Sequence, residues 1–107
     1  MNATLPMFYV YILYSQSADK FYVGQTSDVN KRLWEHNNPV EYSKFTAKYI
    51  PCEIMLNFPV SPSRSEAMKI ESFIKSQKSK KFIHKLIVNK EDPEYFQKLI
   101  NHVLSLG

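Results

Sequence analysis

The run from Met7 to Tyr14 is the longest apolar stretch in the chain, eight residues dominated by aromatic and β-branched side chains. A helix that crosses a bilayer needs about 18 to 20 apolar residues, so this run is a strand and not a membrane span. A second run of the same character, Lys20 to Gln25, follows after the polar stretch Ser15 to Asp19, and the pair predicts a β-hairpin. Ile54, Leu56 and Phe58 then alternate within Cys52 to Phe58, which predicts a third strand half covered by helices.

The remaining segments read as helices with recognisable starts. Asp28 offers an N-cap oxygen ahead of Val29 and Leu33, so a first helix should run from about 28 to just before Pro39. Residues 38–50 read as a loop. Ser63 and Glu66 have the spacing of a capping box and open a second helix that extends to about Ser76. Phe82, Ile83, Leu86 and Ile87 mark the apolar face of a third, with Lys80, Lys81 and Lys85 directed elsewhere. Asp92 and Pro93 start a fourth, whose Tyr95, Phe96, Leu99, Ile100, Val103 and Leu104 recur at helical spacing. The expected fold class is α+β, order ββαβααα, with a small three-stranded, mainly antiparallel sheet flanked by helices. The chain of 107 residues is expected to form one domain, with a core over about 7–90 and an extra C-terminal helix over about 92–105. That last helix either caps the core or offers its apolar stripe to a second copy, so monomer and homodimer both stay open.

Charge and cysteine usage narrow the function classes. Lys69 to Lys90 holds seven lysines against Glu71 alone, a net +6 in a chain whose total is +4, so the remainder carries −2. A basic segment on a near-neutral body suits a phosphate backbone, although solvated lysines on an exposed helix face have the same composition. Cys52 is the only cysteine, which excludes an internal disulfide and a cysteine zinc site. No Lys or Arg stands before Met7, so the positive start of a secretory signal is not expected, and the expected location is cytoplasmic.

Several polar residues lie where the pattern expects packing. Arg32 and His36 are i,i+4 neighbours beside the Val29/Leu33 stripe and should sit at the rim of the first helix. Glu71 follows Ala67 by four residues on the inward face of the second helix, where a carboxylate is costly to bury without a cation or a donor. It is either an ion-pair partner of Arg32 or a helix-flank lysine, or a metal ligand. Tyr11 and Tyr22 can serve as strand aromatics in a core. Arg32 and His36 can equally form a solvated ion pair with Glu35 or Asp28. His84 and His102 read as surface residues.

Taken together, Tyr9-Val10-Tyr11, Tyr22-Val23-Gly24, Val29-x-x-Arg32-Leu33-x-x-His36 and Ser65-Glu66-Ala67-x-x-x-Glu71-x-x-Ile74-Lys75 resemble the GIY-YIG nuclease superfamily, in particular its short stand-alone bacterial endonuclease branch. The resemblance covers roughly residues 8–90. It implies a metal-dependent endonuclease that hydrolyses phosphodiester bonds in DNA ahead of RNA, with branched, damaged or single-stranded forms as candidates and no membrane partner. By the same resemblance Tyr11 is a general base or a water-orienting group, and Tyr22 positions water or contacts phosphate. A phenol with an ordinary pKa near 10 needs help from a metal, a cation or the substrate to act as a base at neutral pH. Arg32 stabilises the charge that grows on phosphorus, His36 hydrogen-bonds within the site, and Glu71 holds one Mg²⁺ or Mn²⁺ ion. Glu71 is expected on the same sheet face as Tyr11, Tyr22 and Arg32. Gly24, which allows close backbone approach, and Lys31, Lys75, Lys78, Lys80, Lys81 and Lys85 are candidate nucleic-acid contacts. The first motif lacks its glycine, and Asn89 is the one candidate for a late polar residue near the site. A non-catalytic nucleic-acid-binding module, or an adaptor that keeps the fold, is the alternative from a different functional class.

Overall fold

The computed structural model describes residues 6–38 and 51–106, so most of the segment read as a loop, 39–50, lies outside the described residues. Strands β1 (Phe8–Ser15) and β2 (Lys20–Thr26) pair antiparallel as the predicted hairpin, with Tyr11 opposite Gly24 and Leu13 opposite Tyr22. At its turn Asp19 takes a left-handed φ of 50° and accepts a 2.8 Å hydrogen bond from the Tyr14 hydroxyl. Strand β3 (Cys52–Ser61) pairs antiparallel with the other side of β1, which gives the sheet order β2-β1-β3. It runs three residues past the predicted end at Phe58, through Pro59. A proline is tolerated there because β3 is an edge strand and one of its sides needs no donor.

Four helices follow the predicted order: α1 (Val29–Asn37), α2 (Arg64–Ser76), α3 (Lys80–Val88) and α4 (Pro93–Ser105). Each starts on a side-chain oxygen that accepts a backbone N–H two or three residues into the helix: Asp28 from Lys31, Ser63 from Glu66, Ser79 from Phe82 and Asp92 from Tyr95. The capping box at Ser63 is only half made. The Ser63 N–H, which Glu66 would accept in a full box, is bound at 3.0 Å by the hydroxyl of Ser61 at the end of β3.

The period-two alternation of β1 sorts its side chains onto two faces. Val10 and Ile12 point to a large core completed by Leu56, Phe58, Ile70, Ile74, Leu86, Phe96, Ile100 and Val103, so α2, α3 and α4 all pack on that face. Phe96 stacks on Phe58 with ring centroids 4.5 Å apart, and with Ile100 and Val103 it caps the core, while Tyr95, Leu99 and Leu104 of the same helix are only partly buried. Tyr11 and Leu13 point the other way, into a smaller cluster with Cys52 that Tyr22, Ile54, Val29 and Leu33 border. Among the described residues helix α1 covers this second face, and none of its residues is fully buried. No helix among the described residues is long and apolar enough to cross a membrane.

Candidate active site

Tyr11 anchors the site. It lies on the α1 face of β1, 4% exposed, with its ring over the backbone of Gly24 on the paired strand. A Cβ at position 24 would collide with Cζ and Oη of that ring, so glycine is needed there to make room for the tyrosine. The close approach expected of Gly24 is thus occupied from within the protein. Across the ring, Arg32 Nε of α1 donates a 3.2 Å hydrogen bond to Tyr11 Oη. Arg32 also pairs with Glu35 at 3.4 Å, a contact between half-exposed groups. The Tyr11 hydroxyl is the main reason that the guanidinium is held even more firmly in its charged form.

His36, one turn further along α1, faces Tyr22 with ring centroids 5.1 Å apart and has Nδ1 3.8 Å from the Cys52 thiol. Burial, and then the charge of Arg32, push its pKa below the ordinary imidazole value, so the ring is neutral at pH 7. The C-terminal turn of α1 is fixed to β3 by Asn37, whose side-chain amide donates to the Cys52 carbonyl at 3.0 Å and accepts from the Cys52 N–H at 2.6 Å.

Glu71 arrives by a different route from the expected one. Helix α2 lies on the large-core face, opposite α1, because Ile70 and Ile74 pack there against Val10 and Ile12. Helical spacing identifies the inward side of α2 but not the side of the sheet that the helix occupies. The two helices meet at edge strand β2, where Tyr11, Tyr22, Arg32, His36 and Glu71 all line one hollow of about 500 Å³. The Glu71 side chain is 19% exposed and accepts a 2.6 Å ion-paired hydrogen bond from Lys75, the helix-flank lysine partner that its position allowed. A larger hollow, about 600 Å³, lies between α2 and α4, but Met68, Phe73, Val103 and Leu106 make it apolar.

A family model described as the GIY-YIG catalytic domain matches residues 7–85. The chain belongs to the GIY-YIG family. Comparison with curated proteins finds no match. Membership carries a nuclease-type function in general terms, with nucleic acid as the substrate class.

Within this GIY-YIG domain the predicted lysines divide. Lys75 lines the hollow, and Lys78 lines a smaller neighbour of about 290 Å³ that shares Lys75, Tyr22 and Val23 with it. Lys80 is engaged at the hairpin turn by the Asp19 carboxylate, 3.4 Å away. Lys31, Lys81 and Lys85 are exposed and do not line the hollow. Asn89 is not part of it either: its side chain donates to the Lys85 carbonyl at 2.8 Å, closing the C-terminus of α3. Arg64 is the residue that pattern reading missed. It lines the hollow from the first turn of α2, next to a serine and glutamate that read as capping signals, and nothing in its spacing distinguishes it from a solvated charge.

The donor set bears on a metal. Among the described residues no three His, Cys, Asp or Glu side chains come together, and Glu71 is the carboxylate that lines the hollow. One carboxylate suits a hard divalent ion that keeps waters and takes its other ligands from substrate phosphate, so the residues present fit one such ion.

Proposed function

We propose that the protein is a metal-dependent endonuclease that hydrolyses phosphodiester bonds in DNA, with branched, damaged or single-stranded DNA as candidate substrates. The observation that carries this reading is the convergence of Tyr11, Tyr22, Arg32, His36 and Glu71 on one hollow from four separate elements. A strand core needs neither an arginine on its tyrosine nor a carboxylate at its edge.

In the proposed reaction water attacks phosphorus. The Tyr11 hydroxyl is held by Arg32 Nε, so it is fixed to orient that water, while the guanidinium charge, whose Nη1 is otherwise only in a half-exposed contact with Glu35, would stabilise the developing negative charge. His36 is kept neutral by burial and by Arg32, and it can accept the proton that the water loses. Tyr22, which lines the same hollow, would position water or contact the phosphate. Glu71 would hold the cation, Mg²⁺ or Mn²⁺, which when bound supplies Lewis-acid stabilisation of phosphoryl and leaving 3′ oxygens. Lys75 and Lys78 continue the positive charge along β2, and the exposed Lys31, Lys80, Lys81 and Lys85 add affinity without reading sequence. The protein would act as a single domain in the cytoplasm, as a monomer or homodimer.

Nicking of supercoiled plasmid with Mg²⁺ or Mn²⁺ tests the proposal. Metal-dependent cleavage by the wild type, lost in Glu71→Ala and Arg32→Ala, supports it. One contact favours a second reading: the Glu71 carboxylate is already neutralised by Lys75 at 2.6 Å, as a non-catalytic nucleic-acid-binding module would allow. Binding without cleavage on duplex, branched and single-stranded DNA would establish that reading instead.

A further inference from the structure

We infer that Arg64 is a substrate-positioning residue that grips a backbone phosphate other than the one attacked; the inference rests on the nuclease reading of the same hollow. Arg64 stands on the wall of the hollow at the start of α2, and neutral partners on two strands hold its guanidinium. Nη1 donates to Gln25 Oε1 of β2 at 3.1 Å, and Cζ lies 4.5 Å above the Phe8 ring of β1. Neither an amide oxygen nor a ring face neutralises the charge. Among the described residues the ion pairs are made by Arg32, Lys75, Lys80 and Lys98, and none involves Arg64.

Charge balance says what this group is for. The hollow is lined by three cationic side chains, Arg32, Arg64 and Lys75, against the single carboxylate of Glu71. A phosphodiester carries one negative charge; Arg32 sits on Tyr11 Oη, and its pair with Glu35 is a half-exposed contact at 3.4 Å that leaves it able to meet that charge, whereas Lys75 is held at 2.6 Å by the less exposed Glu71. The charge of Arg64 is therefore left for a second anion, and a polynucleotide supplies one at the neighbouring linkage. The geometry of its support suits that task. A guanidinium fixed by a ring and an amide loses little freedom on binding, and its remaining fork can take a phosphate by two parallel hydrogen bonds. The exposed lysines have no comparable support and act as mobile point charges.

The test measures binding of a short fluorescein-labelled oligonucleotide, single-stranded and duplex, by anisotropy over a salt series with EDTA present. It compares the wild type with Arg64→Ala, Arg64→Lys and a charge control, Lys98→Ala, on α4 outside the hollow. Arg64→Ala should weaken binding about tenfold. It should also flatten the slope of log affinity against log salt by about 0.7 to 0.9, while Lys98→Ala matches the wild type. Arg64→Lys should keep the slope and recover only part of the affinity, because the charge returns without the fork. With Mg²⁺ present, Arg64→Ala should raise KM more than it lowers kcat. An Arg64→Ala protein that folds, and whose affinity and slope equal those of Lys98→Ala, would overturn the inference. A wild type that binds but cleaves nothing would instead end the nuclease reading, while the salt slope still decides whether Arg64 holds a phosphate.

Discussion

The two faces of the sheet are built for different work. On one, α2, α3 and α4 bury ten residues of a purely apolar core with Val10 and Ile12 at its centre. On the other, α1 covers Tyr11, Leu13 and Cys52 and buries none of its own residues completely. Among the described residues the larger core lies on the face away from α1, and α1 carries Arg32 and His36 to the hollow with Glu35 paired to Arg32. The site sits where the faces meet, so Glu71 is anchored by the strong core while its partners belong to the weak one. Helix α2 does both kinds of work, with Ile70 and Ile74 turned to the large core and Arg64, Glu71 and Lys75 lining the hollow.

The sharpest way to break that comparison is to truncate one residue from each side. Ile70→Ala empties a fully buried position on the large core and should cost about 2 to 5 kcal/mol of unfolding free energy in denaturant titration. Leu33→Ala, on α1 and only partly buried, should cost clearly less. Equal costs would mean that the faces share the stability. Arg32→Ala should show the opposite profile, a loss of about 10²- to 10³-fold in cleavage rate with little change in the denaturation midpoint.

Gly24 is where the two kinds of effect should coincide. Gly24→Ala must drive the Tyr11 ring away from its seat, which should cost about 1 to 3 kcal/mol and also break the Arg32 contact, lowering both midpoint and cleavage. Tyr11→Phe keeps the ring and removes the hydroxyl, so it should lower cleavage while leaving stability nearly intact. If Gly24→Ala leaves cleavage unchanged, the close packing of the pair has no part in the chemistry.

Much of this was legible in the chain because it rests on local pattern. The strands announce themselves by period two, and the helix starts by Asp28, Ser63 and Asp92 ahead of apolar repeats. What spacing cannot convey is which side of the sheet a helix takes, since the same stripe on α2 would pack equally well on either face. The expectation that Glu71 shares a face with Tyr11 failed for that reason, although both line the same hollow around β2. Arg64 was invisible for a related one: its supports, Phe8 and Gln25, are remote in sequence and become neighbours only when the sheet forms. The link between Gly24 and Tyr11 likewise depends on strand register and not on either motif alone.

His36 gives a smaller effect with a definite sign. Its pKa is depressed in the folded protein, so between that value and the ordinary 6.5 the unfolded chain binds more protons and stability rises with pH. The contribution is complete above pH 6.5 and is lost as pH falls through the depressed value. Cleavage should follow the same limb, low when His36 is protonated and level above neutrality, if the neutral ring accepts the proton from water. His36→Gln should flatten the acid limb of stability. An acid limb of cleavage that survives unchanged in a variant retaining activity would assign the proton transfer to another group.

The smallest effect on folding belongs to Lys75, and it discriminates between the two functional readings. Its side chain is 55% exposed while that of Glu71 is 19% exposed, so the pair has the character of a partly solvated i,i+4 contact on one helix. Lys75→Gln should change stability by less than about 1 kcal/mol. Under the nuclease reading, however, Lys75 competes with the cation for the same carboxylate oxygens. Removing it should lower the Mg²⁺ or Mn²⁺ concentration needed for half-maximal cleavage, even as the lost charge weakens oligonucleotide binding in EDTA. Opposite movements of metal and oligonucleotide affinity would identify Glu71 as the ligand that Lys75 guards. If both weaken together, the pair belongs to the binding surface, and the edge of the sheet holds a strand without a metal.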